Sequence, residues 1–127
     1  MDMRTPLSRA RGSGSARDGV EIWKMERVTA AALVPLCLWF LIFLIRLSQG
    51  NGYETYVEMI STPGNTALML LFIYCAFYHG MLGLSVVVED YISRVSTRYL
   101  LLAGTKMMMV FLGLFCMVSV LKVAIGK

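Results

Sequence analysis

One histidine, His79, stands inside a thirty-residue stretch, Met59 to Val88, that holds no other acidic or basic residue. An imidazole in so apolar a setting has two uses. It hydrogen-bonds a neighbouring helix as a neutral packing group, or it keeps a ring nitrogen free as a ligand. Ala76, Gly80 and Gly83 surround it with small residues. Such residues clear room for a flat group, and they also serve plain helix packing. Eleven residues on, the stretch ends in Glu89-Asp90-Tyr91. In a helix eleven steps of 100° return almost to the starting direction, so His79, Gly83, Val86 and Asp90 share one stripe. The rise between His79 and Asp90 is roughly 16 Å. Asp90 and Tyr91 are a carboxylate and a phenol able to handle protons at a membrane edge. Read alone, they also suit a solvated helix end with an interfacial tyrosine.

The elements that position these groups follow from composition. The chain has 127 residues, 57% of them hydrophobic and 16% charged, against roughly 45–50% and 25% for a soluble domain. The apolar residues fall in three runs, Val28 to Ile45, Met59 to Val88 and Tyr99 to Leu121, the last interrupted by Lys106. A bilayer core of about 30 Å takes about 20 helical residues, so each run crosses once. Lipid leaves no partner for free backbone groups, so the crossings are helices. The predicted fold class is therefore all-α and integral to the membrane, with transmembrane helices at about residues 28–46, 65–90 and 99–123. Residues 1–19 read as a basic, flexible cytoplasmic tail, and residues 20–127 as the three-helix anchor domain.

Arg4, Arg9, Arg11, Arg17, Lys24, Arg27, Arg94 and Arg98 flank one side, against Arg46, Lys122 and Lys127 on the other. Eight against three predicts a cytoplasmic N-terminus and a periplasmic C-terminus. The net charge of +4 thus reports topology and calls for no nucleic acid. The tail has no apolar core of a secretory signal. Its Arg- and Ser-rich make-up also suits an organellar transit peptide, which keeps a mitochondrial inner membrane as the alternative to a bacterial one. Lys106, about 10 Å inside the third span, reaches back to the cytoplasmic headgroups or enters an ion pair.

Local signals refine the spans. Asp18 and Glu21 have the spacing of a helix N-cap and its N3 partner, with Trp23 at headgroup level. Pro35 interrupts the first span. Gly50-Asn51-Gly52 is a turn, after which Tyr53, Tyr56, Val57 and Ile60 form the apolar side of a short outer interfacial helix. Pro63-Gly64 ends it and begins the second span. Cys37, Cys75 and Cys116, one per span, read as buried small apolar residues rather than a metal or disulfide set.

Three stretches resemble the hydrophobic membrane anchor subunit of succinate dehydrogenase in its bacterial branch. They are Met3-Arg4-Thr5-Pro6-Leu7, Trp23 with Arg27-Val28-Thr29-Ala30, and His79 with Leu82-Gly83 and Val86-Val87-Val88-Glu89-Asp90-Tyr91. The chain departs from similar members at Glu26 and Ser85, where they often carry glutamine. The resemblance implies a three-helix anchor paired with a cytochrome b membrane subunit, the two binding one haem b through a histidine from each chain. It implies His79 as this chain's axial ligand to the haem iron and Tyr91 as a donor to a ubiquinone carbonyl. Asp90 is then the polar neighbour of that tyrosine, and Arg27 lies near the quinone and the haem propionates. It implies docking of the iron–sulfur and flavoprotein subunits on the cytoplasmic face, and a chain that is not catalytic alone but is a subunit of an enzyme that passes electrons from succinate to quinone.

One fact of composition agrees independently: a single histidine supplies one axial ligand, so bis-histidine haem needs a second chain. The competing function is a non-redox three-span tether or assembly protein, in which His79 only packs. A transporter fits poorly, since the chain lacks repeated halves and paired broken helices.

Overall fold

The computed structural model describes Leu7 and residues 16–126. Four helices follow in order: α1 (Ala16–Gln49), α2 (Tyr53–Ile60), α3 (Pro63–Tyr91) and α4 (Val95–Ile125). The described residues contain no strand. Three helices are long and apolar enough to cross a membrane, over Gly19–Gln49, Pro63–Tyr91 and Val95–Ile125. The all-α, three-span class expected from the apolar runs is what the chain adopts, and each helix runs past the C-terminal end of its apolar run.

The largest extension is in α1, which begins at Ala16. Asp18 is thus inside the helix rather than its N-cap, which corrects the capping expectation. Of the tail expected over residues 1–19, the part before Ala16 lies outside the described residues except for Leu7, and the rest is helical. The helix also runs through Pro35. Proline has no N–H, so the Ala31 carbonyl loses its helical donor there.

α3 is the central helix, with α1 and α4 each packed along it. On α1 the inward residues are Thr29, Leu36, Phe40, Phe43 and Leu47, at offsets of 7, 11, 14 and 18, so all lie within about 40° of Thr29. Thr29, Leu36 and Phe43 are buried, and the Phe40 ring stacks on Phe72 of α3 with centroids 4.6 Å apart. On α3, Phe72 and His79 are seven residues apart and share the face toward α1. Phe77 is about 200° away from His79 around the same helix and packs on Gly113 of α4. The outer helices therefore contact opposite faces of α3, in a layer three helices wide.

The best-sealed packing is at the end of the bundle that α2 covers, where Phe43, Ile60, Met69, Ile73 and Val120 form one cluster. α2 closes it. The entry turn needs glycine twice, because Gly52 has φ +64° and a side chain on Gly50 would collide with Thr55. Asn51 N–H donates to the Thr55 hydroxyl at 2.8 Å. At the exit, Asn65 Nδ2 donates to the Met59 carbonyl at 2.9 Å and the Thr66 hydroxyl donates to the Ile60 carbonyl. These side chains reinforce the last turn of α2, where the Met59 carbonyl also accepts the Thr62 N–H at 3.4 Å. Ile60 is fully buried, Tyr56 and Val57 are half-buried, and Tyr53 is exposed, so the apolar side of α2 is narrower than its spacing predicts. Burial, with Tyr53 nearby, pushes the Tyr56 phenol above its ordinary pKa.

Cysteine burial is mixed. Cys75 is buried and Cys116 half-buried, as expected, whereas Cys37 faces outward. An outward position in a membrane span meets lipid, where a small apolar side chain has no penalty.

Candidate functional site

His79 sits sixteen residues after Pro63 and twelve before Tyr91, placing it inside the bilayer, somewhat nearer the Tyr91 end. Its Nδ1 lies 3.0 Å from the Thr29 hydroxyl of α1. Thr29 is held in turn. Its Oγ1 is 2.8 Å from the Met25 carbonyl and 3.1 Å from the Glu26 carbonyl, both one turn back in the same helix. A β-branched side chain in a helix has few rotamers, and bonding back to the preceding turn selects among them. Nε2 of His79 makes no hydrogen bond with a described residue. It is not sealed off, because every fully buried side-chain nitrogen or oxygen among those residues has a partner.

The small residues beside His79 are open. A Cβ on Gly80 or on Gly83 would meet nothing within 4 Å. Gly113, by contrast, is small because Phe77 stands 3.4 Å from where its Cβ would be. Gly80 and Gly83 beside His79 are thus open, whereas Gly113, on the far side of α3, serves close helix approach. The histidine thus has one nitrogen held by Thr29 and one free of described partners. No group of three or more His, Cys, Asp or Glu that could hold a bare metal ion exists among the described residues. His79 alone offers a single nitrogen donor, too few to hold a bare ion.

Asp90 and Tyr91 are the last two residues of α3, and Tyr91 is 83% exposed. Asp90 returns to the His79 stripe, as the spacing predicts. A carboxylate at a helix C-terminus opposes the macrodipole, at a cost of about 0.3–1 kcal/mol. Glu89 and Asp90 both sit there, and the last turn has no basic residue. Local helix stability therefore does not explain the pair. The short connection Ile92-Ser93-Arg94 then leads into α4.

Arg27 is not brought to His79 within this chain. It is exposed, with its guanidinium carbon 4.9 Å from the centroid of the Trp23 ring, a cation–π contact. Two residues from Thr29 is about 200° around α1, so Arg27 belongs to the face turned from α3. Lys106 is exposed on α4, as a side chain reaching back toward headgroups would be.

Residues 1–123 match the succinate dehydrogenase/fumarate reductase transmembrane subunit family. The chain belongs to that family. Among relatives of this succinate dehydrogenase/fumarate reductase subunit, the hydrophobic membrane anchor subunit of succinate dehydrogenase from Rickettsia bellii is 33% identical over 106 residues, 84% of each chain. The Rickettsia conorii anchor subunit is 29% identical over 119 residues, covering 94% of this chain and 89% of the relative. No solved structure matches. The family match spans the three stretches on which the resemblance rests.

Thr29 is the residue of this transmembrane subunit that sequence reasoning passed over. It falls within the resembling stretch Arg27-Val28-Thr29-Ala30, yet its pairing with His79 crosses fifty residues of chain. The available signal was a hydroxyl on the same stripe as Leu36, Phe40 and Phe43.

Proposed function

We propose that this chain is the membrane anchor subunit of a succinate:ubiquinone oxidoreductase, supplying one axial ligand to haem b and part of the quinone-reduction site. The observation that carries this reading is His79, held through Nδ1 and free at Nε2 beside open glycine positions, in a chain of this family. The residues fit the group: His79 offers one nitrogen donor, and Gly80 and Gly83 beside it are open. The second axial histidine comes from a partner cytochrome b subunit. When bound, haem b supplies a one-electron store within the membrane.

In this reading the N-terminus and the Ser93 connection lie on the cytoplasmic side of a bacterial inner membrane, where the iron–sulfur and flavoprotein subunits dock. Tyr91 then sits where electrons leave the iron–sulfur subunit. Reduction of a quinone by two electrons builds negative charge on its carbonyl oxygens before two protons arrive. The Tyr91 hydroxyl donates to one of those oxygens, and Asp90 beside it passes protons in from the cytoplasmic edge. Arg27, on the outer face of α1, supplies fixed positive charge toward the quinone and haem propionates between subunits. The partner subunits must cover Tyr91, because a hydrogen bond to developing charge gains strength only where water is excluded.

The test is a dithionite-reduced minus oxidised spectrum of the chain purified with its partner subunits. A Soret band and a sharp reduced α-band support the reading. A colourless assembly that also fails to reduce quinone indicates a non-redox tether.

A further inference from the structure

The contact between Thr29 and His79 has a proton arrangement that can be counted. The Thr29 hydroxyl has one proton and three neighbours: the Met25 carbonyl at 2.8 Å, the Glu26 carbonyl at 3.1 Å and His79 Nδ1 at 3.0 Å. A carbonyl oxygen only accepts. If the proton pointed at Nδ1, the hydroxyl lone pairs would face the Met25 carbonyl at hydrogen-bond distance with no hydrogen between them. With the proton on the carbonyl side, Oγ1 turns a lone pair to the imidazole, and Nδ1 is the nitrogen that carries hydrogen. A neutral imidazole has one N–H, so Nε2 is left with its lone pair, the form that binds a metal.

The arrangement is fixed by the chain itself. Thr29 is 7% exposed, so water does not compete for its oxygen. Its rotamer is set by the preceding turn of α1. The acceptor therefore stands in place before any ligand arrives, and it belongs to a different helix from the histidine. We propose that Thr29 is a positioning residue for the haem ligand: it fixes the Nε2-free form of His79 and the direction of its ring, and by accepting from Nδ1–H it raises ligand basicity and holds the haem potential down. This rests on His79 being an axial ligand, and deepens that reading. A hydrogen bond to the far nitrogen of a metal-bound imidazole puts more electron density on the metal and favours its oxidised form. Removing the acceptor favours the reduced form.

The experiment is a spectroscopic redox titration of the assembled four-subunit complex, wild type against Thr29→Val, Thr29→Ser and Thr29→Cys, with His79→Leu alongside. Valine keeps the shape and removes the acceptor. The expected result for Thr29→Val is a retained bis-histidine spectrum with a higher midpoint, the reduced-to-oxidised ratio at fixed potential rising about three- to tenfold. Tenfold is about 59 mV for one electron. Thr29→Ser should return the midpoint to that of wild type. Where valine prevents assembly, a cysteine midpoint above those of both wild type and serine carries the same conclusion, because sulfur is a weak acceptor. Midpoints that coincide across these variants, with the spectrum still lost in His79→Leu, would overturn the role of Thr29 and leave the ligand standing. A spectrum unchanged in His79→Leu would remove the ligand, and the role of Thr29 with it.

Discussion

Phe40 in α1 and Phe72 in α3 stack with ring centroids 4.6 Å apart and planes 19° from parallel, about two helical turns along α3 and about three along α1 from the Thr29–His79 contact. Phe43 continues the array, its ring edge-on to Tyr56 of α2 at 6.2 Å. Lipid tails are as apolar as these rings, so close packing rather than exclusion from water joins the helices. Aromatic pairs of this geometry contribute about 0.5–1.5 kcal/mol beyond area. Phe72→Ala should lower the midpoint temperature of the detergent-solubilised complex and should loosen the seat of His79, so that haem content falls before assembly fails. Pigment content against temperature, wild type beside variant, measures both.

On the opposite face of α3, Gly113 of α4 packs on Phe77, which stands 3.4 Å from the position of a Cβ. Alanine makes an ordinary contact there, whereas leucine drives the ring aside. Gly113→Ala should assemble normally. Gly113→Leu should reduce the yield of intact complex severalfold, since overpacking costs roughly 1–3 kcal/mol. Blue-native electrophoresis of the membranes distinguishes them.

Much of this layout was legible in the sequence, for stated reasons. Three apolar runs require three helices once backbone groups have no water. The stripe joining His79 to Asp90 follows from helical geometry alone. What escaped was set by tertiary pairing. The level at which α1 meets α3 depends on Phe40 finding Phe72, and this brings Thr29 beside His79 although it lies near the edge of its own apolar run. The outward turn of Arg27 follows from the same rotation of α1. The early start of α1 at Ala16 overrode the Asp18 signal, because a cap spacing is only a local preference.

Orientation is expected from the charge asymmetry. Alkaline phosphatase fused after Lys127 should be active in the periplasm, and a fusion at Ser93 should be silent. The reverse pattern would put Asp90 and Tyr91 on the periplasmic side, away from the electron donor.

Tyr91→Phe keeps the ring and removes the donor. Quinone reduction should fall between about tenfold and a thousandfold, the scale of losing one charge-stabilising hydrogen bond of about 1.5–4 kcal/mol. Succinate oxidation with an artificial acceptor at the soluble subunits should be unchanged. Quinone reduction within a factor of two of wild type would leave Tyr91 as an interfacial residue only.

The most direct test of the site is the reduced-minus-oxidised spectrum of complexes carrying His79→Leu, with subunit content checked on the same preparation. With all four subunits present, the wild type should show a bis-histidine haem b signal and the variant should lose it or shift it to another ligation. An identical signal in both, at equal haem per complex, would contradict the assignment of His79.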